Sequence, residues 1–178
     1  DTEVILNCYR EYGEECVKKF NGIFAFAIWD TRNNELFIAR DHIGVKPLYY
    51  YQKDGKFIFS SEIKAILEHP IKREVDNRAF NLYFQLLYTP EPYTMFKDIK
   101  KLPIASWMKV KQGEVKIERY WDPQVSINTE SYEDIKESIR NTFDDSIKKQ
   151  LISDRPLGVF LSGGMDSTAV LGSVRENR

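Results

Sequence analysis

The stretch VFLSGGMDSTAV, residues 159–170, joins an apolar segment, a loop of small polar residues and the beginning of a helical pattern. A strand that runs through Ser162, Gly163 and Gly164 into a helix presents free backbone N–H groups, reinforced by the helix dipole, to a ligand. Phosphate suits such a loop, and the hydroxyls of Ser162 and Ser167 can bind its oxygens. The order strand, loop and helix predicts α/β architecture for this part of the chain.

An acidic residue, Asp166, stands within this loop. The better-known phosphate loop GxxxxGK[ST] has a lysine that reaches the β- and γ-phosphates, and no lysine occupies that place here. A carboxylate beside phosphates repels them unless a divalent cation lies between, so we predict that Asp166 binds Mg²⁺. The alternative is a glycine-rich turn in which Asp166 is an ordinary helix-start residue.

Before residue 122 the sequence is typical of antiparallel sheet. The segment IFAFAIWD, residues 23–30, is apolar on both faces of an extended chain and predicts a central strand buried on both sides. Tight turns at Asp54–Gly55 and Gln112–Gly113 predict two hairpins.

Helical spacing predicts helices that cover this sheet. The first occupies residues 1–12 and ends at Gly13, and another follows Asp76 as its N-cap. The apolar residues along one face of the latter are Phe80, Phe84 and Leu87.

The segment WDPQVSINTE, residues 121–130, has the composition of a linker. A long amphipathic helix begins after it at Ser131, and Asp134 stands where a capping box has an acid. Because helix, strand, loop and helix then follow in order, we place a domain boundary near residues 122–130.

The overall composition excludes several functional classes. With 26 basic and 27 acidic residues, the net charge of -1 gives no indication of a nucleic-acid partner. No apolar run is long enough to span a membrane and no leader pattern opens the chain, so we expect a cytoplasmic protein. Cys8 and Cys16 are too few and too widely spaced for a zinc site or a disulfide framework, and we interpret both as core residues.

SGGMDS resembles the SGGxDS loop of the ATP pyrophosphatase family. The upstream half is similar to glutamine-hydrolysing asparagine synthetases, and the resemblance covers nearly all 178 residues. The segments that carry it are NGIFAFAIWD, LFIARDHIGVKPLYYY, FIFSSEIKAIL, TMFKDIKKLP, RYWDP and SDRPLGVFLSGGMDS.

The resemblance implies an α+β N-terminal-nucleophile glutaminase sandwich (αββα, truncated at its N-terminus), followed by the first strand-loop-helix of an α/β ATP pyrophosphatase domain. Residues 1–122 would be a partial type 2 glutamine amidotransferase domain, 123–130 a linker, and 131–178 the start of the ATP-binding domain. The first residue is not methionine and the last residues stop within a helical pattern, so we expect a fragment of a longer protein.

The family's reaction converts ATP, aspartate and glutamine to asparagine, glutamate, AMP and pyrophosphate. An acyl adenylate forms on the aspartate side chain, and ammonia freed from glutamine reaches it through a tunnel. The resemblance thus implies an ATP-dependent carbon-nitrogen ligase, with ATP and Mg²⁺ as cofactors, small-molecule substrates and a homodimer.

Site residues are carried over from the family one at a time. Asp1 matches the acid that binds the α-amino group of glutamine, although a helix N-cap explains it equally well. Leu161 matches a backbone contact with the nucleotide, although it also suits an apolar strand end. Asp166 matches a magnesium ligand. The pyrophosphate cradle corresponds to Ser162, Gly163, Gly164 and Ser167.

Other positions limit what the resemblance implies. Arg40, Asp41, Gly44 and Pro47 match a signature of the glutaminase class, and we favour a packing role for them. The family's nucleophile is an N-terminal cysteine, which this chain lacks, so no catalytic residue is assigned and these residues alone are expected to be inactive.

Two alternatives remain. One is a related amidotransferase or a β-lactam-synthetase-like ligase that adenylates another carboxylate. The other is a non-catalytic binding module.

Overall fold

A computed structural model of the chain describes residues 2–127 and 129–177. The chain divides into two compact units, Asp1–Gln124 and Val125–Arg178. It is a mixed α/β protein whose sheets are antiparallel. Among the described residues, no helix is long and apolar enough to cross a membrane.

The first unit contains two sheets. Four strands form the first sheet in the order β1-β2-β6-β7, and three form the second sheet in the order β4-β3-β5. The strands are β1 (Ala25–Asp30), β2 (Glu35–Arg40), β3 (Tyr49–Lys53), β4 (Lys56–Ser60), β5 (Ile99–Lys101), β6 (Ser106–Lys111) and β7 (Glu114–Arg119).

The described part of the chain also contains six helices. A 3₁₀ helix, Gly13–Lys19, follows the first α-helix, and the last two α-helices belong to the second unit. The α-helices are α1 (Thr2–Tyr12), α2 (Ile63–Leu67), α3 (Asn77–Leu86), α4 (Tyr132–Gln150) and α5 (Met165–Glu176).

Both predicted hairpins are confirmed, and their turn chemistry explains them. Asp54 and Gly55 have φ of 54° and 71°, and Gln112 and Gly113 have φ of 51° and 85°. Two successive positive φ angles define the type I′ turn, whose twist matches that of paired strands. These turns join β3 to β4 and β6 to β7.

Two predicted helix starts are also confirmed. Asp76 caps α3 by accepting hydrogen bonds from the backbone N–H groups of Arg78 and Ala79. Ser131 caps α4 by accepting one from the backbone N–H of Asp134, whose carboxylate in turn accepts the Ser131 hydroxyl at 2.6 Å. Such caps satisfy backbone donors that the helix itself leaves without partners.

The predicted central position of residues 23–30 is wrong. Within residues 2–127 and 129–177, β1 pairs with β2 alone, so it is an edge strand of the first sheet, and Trp29 is 59% exposed. The strand that is central and almost wholly buried is β2. Apolar residues on both faces of a strand indicate that both faces are favoured to be buried. They do not indicate whether the strand is central or at an edge, because that depends on segments distant in sequence.

The layers of the first unit follow from alternation along the strands. Phe37 of β2 and Trp107 of β6 face α1 and the 3₁₀ helix. Their neighbours Ile38 and Met108 point the other way, toward the second sheet. On its outer face, the second sheet packs against α2 through a cluster formed by Tyr51, Ile66 and Ile99.

Phe80, Phe84 and Leu87 lie along one face of α3, as their spacing predicts, and this face is exposed. Phe84 is 66% and Leu87 is 81% exposed, whereas Ala79 is fully buried. A helical period shows that apolar residues share a face but does not specify what covers that face.

In the second unit, the predicted strand at residues 159–161 is not formed. Residues 156–162 belong to no helix or strand, and a strand forms only when a neighbouring segment pairs with it. The packing of this unit comes from α4 and α5, which contact each other.

Candidate functional site

The loop at residues 162–167 is closed by its own hydroxyl groups. The Oγ atoms of Ser162 and Ser167 lie 3.0 Å apart, and the backbone N–H of Ser162 donates to Ser167 Oγ at 3.3 Å. Gly163 has a φ of 82°, and open space surrounds the position where a side chain would begin. The loop is therefore preformed and open toward solvent.

The loop leads directly into α5. Gly164 is the N-cap, and its carbonyl accepts the hydroxyls of Ser167 at 3.1 Å and Thr168 at 2.8 Å. The backbone N–H of Gly164 donates to Ser162 Oγ at 3.4 Å, so the loop's own hydroxyls hold its backbone in place. Backbone N–H groups at a helix start form a favourable environment for an anion.

Asp166 lies in the first turn of α5 and is exposed. Its carboxylate has no hydrogen bond or ion pair with another described residue. One carboxylate is a suitable ligand for Mg²⁺, which commonly binds one or two carboxylates together with phosphate oxygens and water. No group of three histidine, cysteine, aspartate or glutamate side chains within residues 2–127 and 129–177 could hold a metal alone. The donor set therefore fits a cation shared with a phosphate ligand.

A buried hydrogen bond anchors the far end of α5. The hydroxyl of Ser173, which is 5% exposed, donates to Asp144 Oδ1 of α4 at 2.5 Å. The sequence analysis did not identify this pair. The sequence around either residue does not indicate its partner, which lies 29 positions away.

A second polar network lies in the first unit, at the end of β2. The Arg40 guanidinium donates to the carbonyls of Gly44 at 2.9 Å and Lys46 at 2.8 Å. It also donates to the Leu102 carbonyl at 2.6 Å and pairs with Glu91 Oε1 at 2.5 Å. The charge of Arg40, almost completely buried, is thereby compensated.

Asp41 organises the same loop from the other side. Its carboxylate accepts backbone N–H groups of Ile43, Val45 and Lys46 at 3.3, 2.9 and 3.0 Å. Burial raises the pKa of this carboxyl, but the backbone donors outweigh burial, so the pKa lies below its usual value. These contacts agree with a packing role for the signature residues.

Comparison with protein families assigns the two parts of the chain. The family described as glutamine amidotransferase domain matches residues 1–121. The chain belongs to that amidotransferase family. A second family, described as asparagine synthase, matches residues 138–178, which include the SGGMDS loop.

Several curated relatives align with nearly the whole chain. Asparagine synthetase (glutamine-hydrolyzing) 3 of Bacillus subtilis is 45% identical over 96% of this chain and 28% of its own length. Putative asparagine synthetase (glutamine-hydrolyzing) 2 of Methanocaldococcus jannaschii is 40% identical over 99% of this chain and 35% of its own length. Amidase chyE of Penicillium rubens is 30% identical over 99% of this chain and 26% of its own length. The chain spans about a third of these relatives or less.

The remaining predicted site residues are placed as follows. Leu161 immediately precedes the loop and is exposed, and Asp1 lies outside the described residues. Cys16 is buried in the core of the amidotransferase unit, and burial raises its pKa to about 12. Cys8 donates its thiol to the Cys16 carbonyl at 3.9 Å, and burial is the main cause of its raised pKa. Neither environment favours a thiolate, in agreement with the interpretation as core residues.

Proposed function

We propose that the chain serves in a glutamine-dependent asparagine synthetase, an ATP-dependent carbon-nitrogen ligase. The observation that carries this proposal is the succession of an amidotransferase match at residues 1–121 and an asparagine synthase match at residues 138–178. The reaction would consume ATP, aspartate and glutamine and release asparagine, glutamate, AMP and pyrophosphate. Its site would be cytoplasmic, and its partners would be these small molecules and a second subunit.

The domain arrangement belongs to the same proposal. Residues 1–122 would form part of an N-terminal-nucleophile glutaminase sandwich, with two sheets between helical layers. The face-to-face sheets, with α1 on one outer face and α2 on the other, support it. Residues 123–130 would be the linker, and residues 131–178 would begin an ATP pyrophosphatase-type domain.

The loop would bind the nucleotide's phosphates. The backbone N–H groups near Gly163 and Gly164 and the hydroxyls of Ser162 and Ser167 would hold the β- and γ-phosphates, and the Leu161 backbone would contact the nucleotide. Asp166 would hold Mg²⁺, which neutralises phosphate charge. The exposure of the loop and its position at the start of α5 support this role.

The chemical step is a displacement at the α-phosphorus. A carboxylate oxygen of aspartate forms a bond to phosphorus while the bond to the bridging oxygen of pyrophosphate breaks. Ammonia from glutamine then attacks the β-aspartyl adenylate and releases AMP. The chain's own contribution is to position the phosphates and stabilise their charge. No residue of the chain is assigned as the glutaminase nucleophile, and Asp1 would bind the α-amino group of glutamine.

A second candidate is a related amidotransferase or β-lactam-synthetase-like ligase that adenylates a different carboxylate. This second candidate is supported by one relative, named Amidase chyE, which is 30% identical to the chain but is not named an asparagine synthetase. Pyrophosphate release with a panel of carboxylic acids would distinguish the two, since an asparagine synthetase would respond to aspartate.

The substitution Asp166→Asn, made in the enzyme that contains this chain, tests whether glutamine hydrolysis and aspartate adenylation depend on separate parts of the protein. We expect aspartate-dependent pyrophosphate release to be abolished, because the metal ligand is lost, while glutamine hydrolysis is retained. Asp154→Asn is the matched control, since Asp154 is also an exposed acid of the second unit and lies outside the loop. Equal loss of both activities in Asp166→Asn, or no loss of either, would contradict the proposal.

A further inference from the structure

The junction between the 3₁₀ helix and β1 contains the dipeptide Asn21–Gly22. Both residues are exposed and belong to no helix or strand. Ile23, which follows them, is 52% exposed. The side chain of Asn21 and the backbone N–H of Gly22 each lack a hydrogen-bond partner among residues 2–127 and 129–177. The two groups are therefore free to react with each other.

The residues on either side of the dipeptide are held in place. The rings of Phe20 and Phe24 lie edge to face with their centroids 5.5 Å apart, and the centroids of Phe20 and Phe26 are 6.0 Å apart. The Phe24 carbonyl accepts the backbone N–H of Asp41 at 2.9 Å. Residues 21–23 thus form an exposed connection between two anchored ends. Because exposed segments with few buried contacts open at a low free-energy cost, this connection can change conformation while the core beside it stays intact.

The fold does not require glycine at position 22. The φ of Gly22 lies outside the left-handed region, and a Cβ atom added to it would meet no atom within 4 Å. The chemical effect of glycine here is the absence of a side chain, which leaves its backbone nitrogen accessible to the preceding side chain. A residue with a Cβ atom would hinder that approach.

We propose that Asn21–Gly22 is a site of spontaneous deamidation. The Gly22 backbone nitrogen attacks the side-chain carbonyl carbon of Asn21, and the new C–N bond closes a succinimide ring. The C–N bond of the side-chain amide breaks, and its nitrogen leaves as ammonia with the proton from the Gly22 N–H. Water then opens the ring at either carbonyl carbon, which yields aspartate or isoaspartate. The co-reactant is water, and no oxidation or reduction takes place.

The reaction changes the charge and the length of the chain at this junction. A neutral amide becomes a carboxylate, and in isoaspartate the main chain passes through the former side chain and is longer by a methylene group. Because residues 21–23 are exposed, we expect both products to be accommodated in a folded first unit. The proposal is independent of the enzymatic reaction proposed above, since its test measures a mass and a backbone linkage and uses no substrate.

Peptide mapping by mass spectrometry tests the site in the enzyme that contains this chain. Trypsin releases residues 20–32, in which Asn21 has the only side-chain amide, so a deamidated form of this peptide reports Asn21 alone. During incubation of the folded enzyme at mildly alkaline pH, we expect the peptide to convert to forms with isoaspartate and aspartate. Electron-transfer fragmentation distinguishes these two products, and a sample that is not incubated gives the baseline.

A second tryptic peptide is the internal control. It spans residues 33–40 and contains Asn33 and Asn34, which are exposed in the turn between β1 and β2. The Asn33 side chain donates to Asp30 Oδ2 at 3.0 Å, and neither asparagine precedes a glycine. We expect these two amides to survive while Asn21 is converted.

Two substitutions test the mechanism. Gly22→Ala should slow the conversion at least about tenfold, because the added Cβ atom hinders the attack. Asn21→Gln should also slow it, because the longer side chain has to close a larger ring. Far-ultraviolet circular dichroism of each variant verifies that it is folded. The proposal would be overturned if Asn21 remained an amide as long as Asn33 and Asn34 do, if Gly22→Ala converted at the natural rate, or if aspartate formed without isoaspartate.

Discussion

Substitution of Gly44 by alanine should destabilise the first unit far more than the same change in a hairpin turn. Gly44 has a φ of 68°, where a side chain strains the backbone. A Cβ atom there would lie 2.5 Å from Ile104 Cγ2 and 2.7 Å from Arg40 Nη2. Gly55 provides the control, because its φ is 71° and open space surrounds the position of its Cβ.

The magnitudes follow from these two environments. Backbone strain alone costs about 1 kcal/mol, which is the whole expected effect of Gly55→Ala. In Gly44→Ala the Arg40 guanidinium must also move, and it is held by charge-assisted hydrogen bonds worth about 1.5–3 kcal/mol each. Losing one of them gives a total of about 2.5–4 kcal/mol for Gly44→Ala.

Urea unfolding monitored by tryptophan fluorescence measures this difference. All three tryptophans precede residue 125, so their emission reports the first unit alone. With a urea dependence of about 1.5 kcal/mol per molar, the midpoint should fall by about 2 M or more for Gly44→Ala and by less than about 1 M for Gly55→Ala. Equal shifts in the two variants would refute the steric argument and leave only backbone strain.

Two further predictions concern the same network. Glu91→Gln should destabilise the first unit by about 2–3 kcal/mol in the same assay, because the buried charge of Arg40 loses its counter-ion. The control Glu118→Gln removes an exposed ion pair with Lys116 and should cost under about 0.5 kcal/mol. The pKa of Asp41 is lower in the folded state than in the unfolded state, where it is about 3.9. The Asp41 carboxylate therefore stabilises the fold above about pH 3.9, and this stabilisation is lost as the pH falls through the folded-state pKa. The stability deficit of Asp41→Asn should therefore be largest above about pH 5 and shrink below about pH 4, and a deficit independent of pH would exclude this origin.

Features set by local chemistry could be predicted from the sequence. The two hairpins follow from turn residues that accept a positive φ, and the caps of α3 and α4 follow from Asp76 and Ser131. The position of β1 in the sheet and the exposure of Phe80, Phe84 and Leu87 could not be predicted, because both depend on which distant segment lies alongside.

The candidate site divides in the same way. The SGGMDS loop is contiguous, so its donors and Asp166 could be identified as one group, although their role in binding nucleotide stays a prediction. The Arg40–Glu91 pair joins residues 51 positions apart, and Ser173–Asp144 joins residues 29 positions apart. Nothing in the local sequence around either member indicates its partner.

The Ser173–Asp144 hydrogen bond has a consequence for the loop at the opposite end of α5. A three-turn helix is stiff, so rotating or tilting it at one end moves the other end by the same angle. The orientation of the loop's backbone N–H groups therefore depends on a pair of side chains outside the motif. If the loop binds phosphate as proposed, two proteins with the same SGGMDS sequence would differ in phosphate affinity when one of them lacks this hydrogen bond.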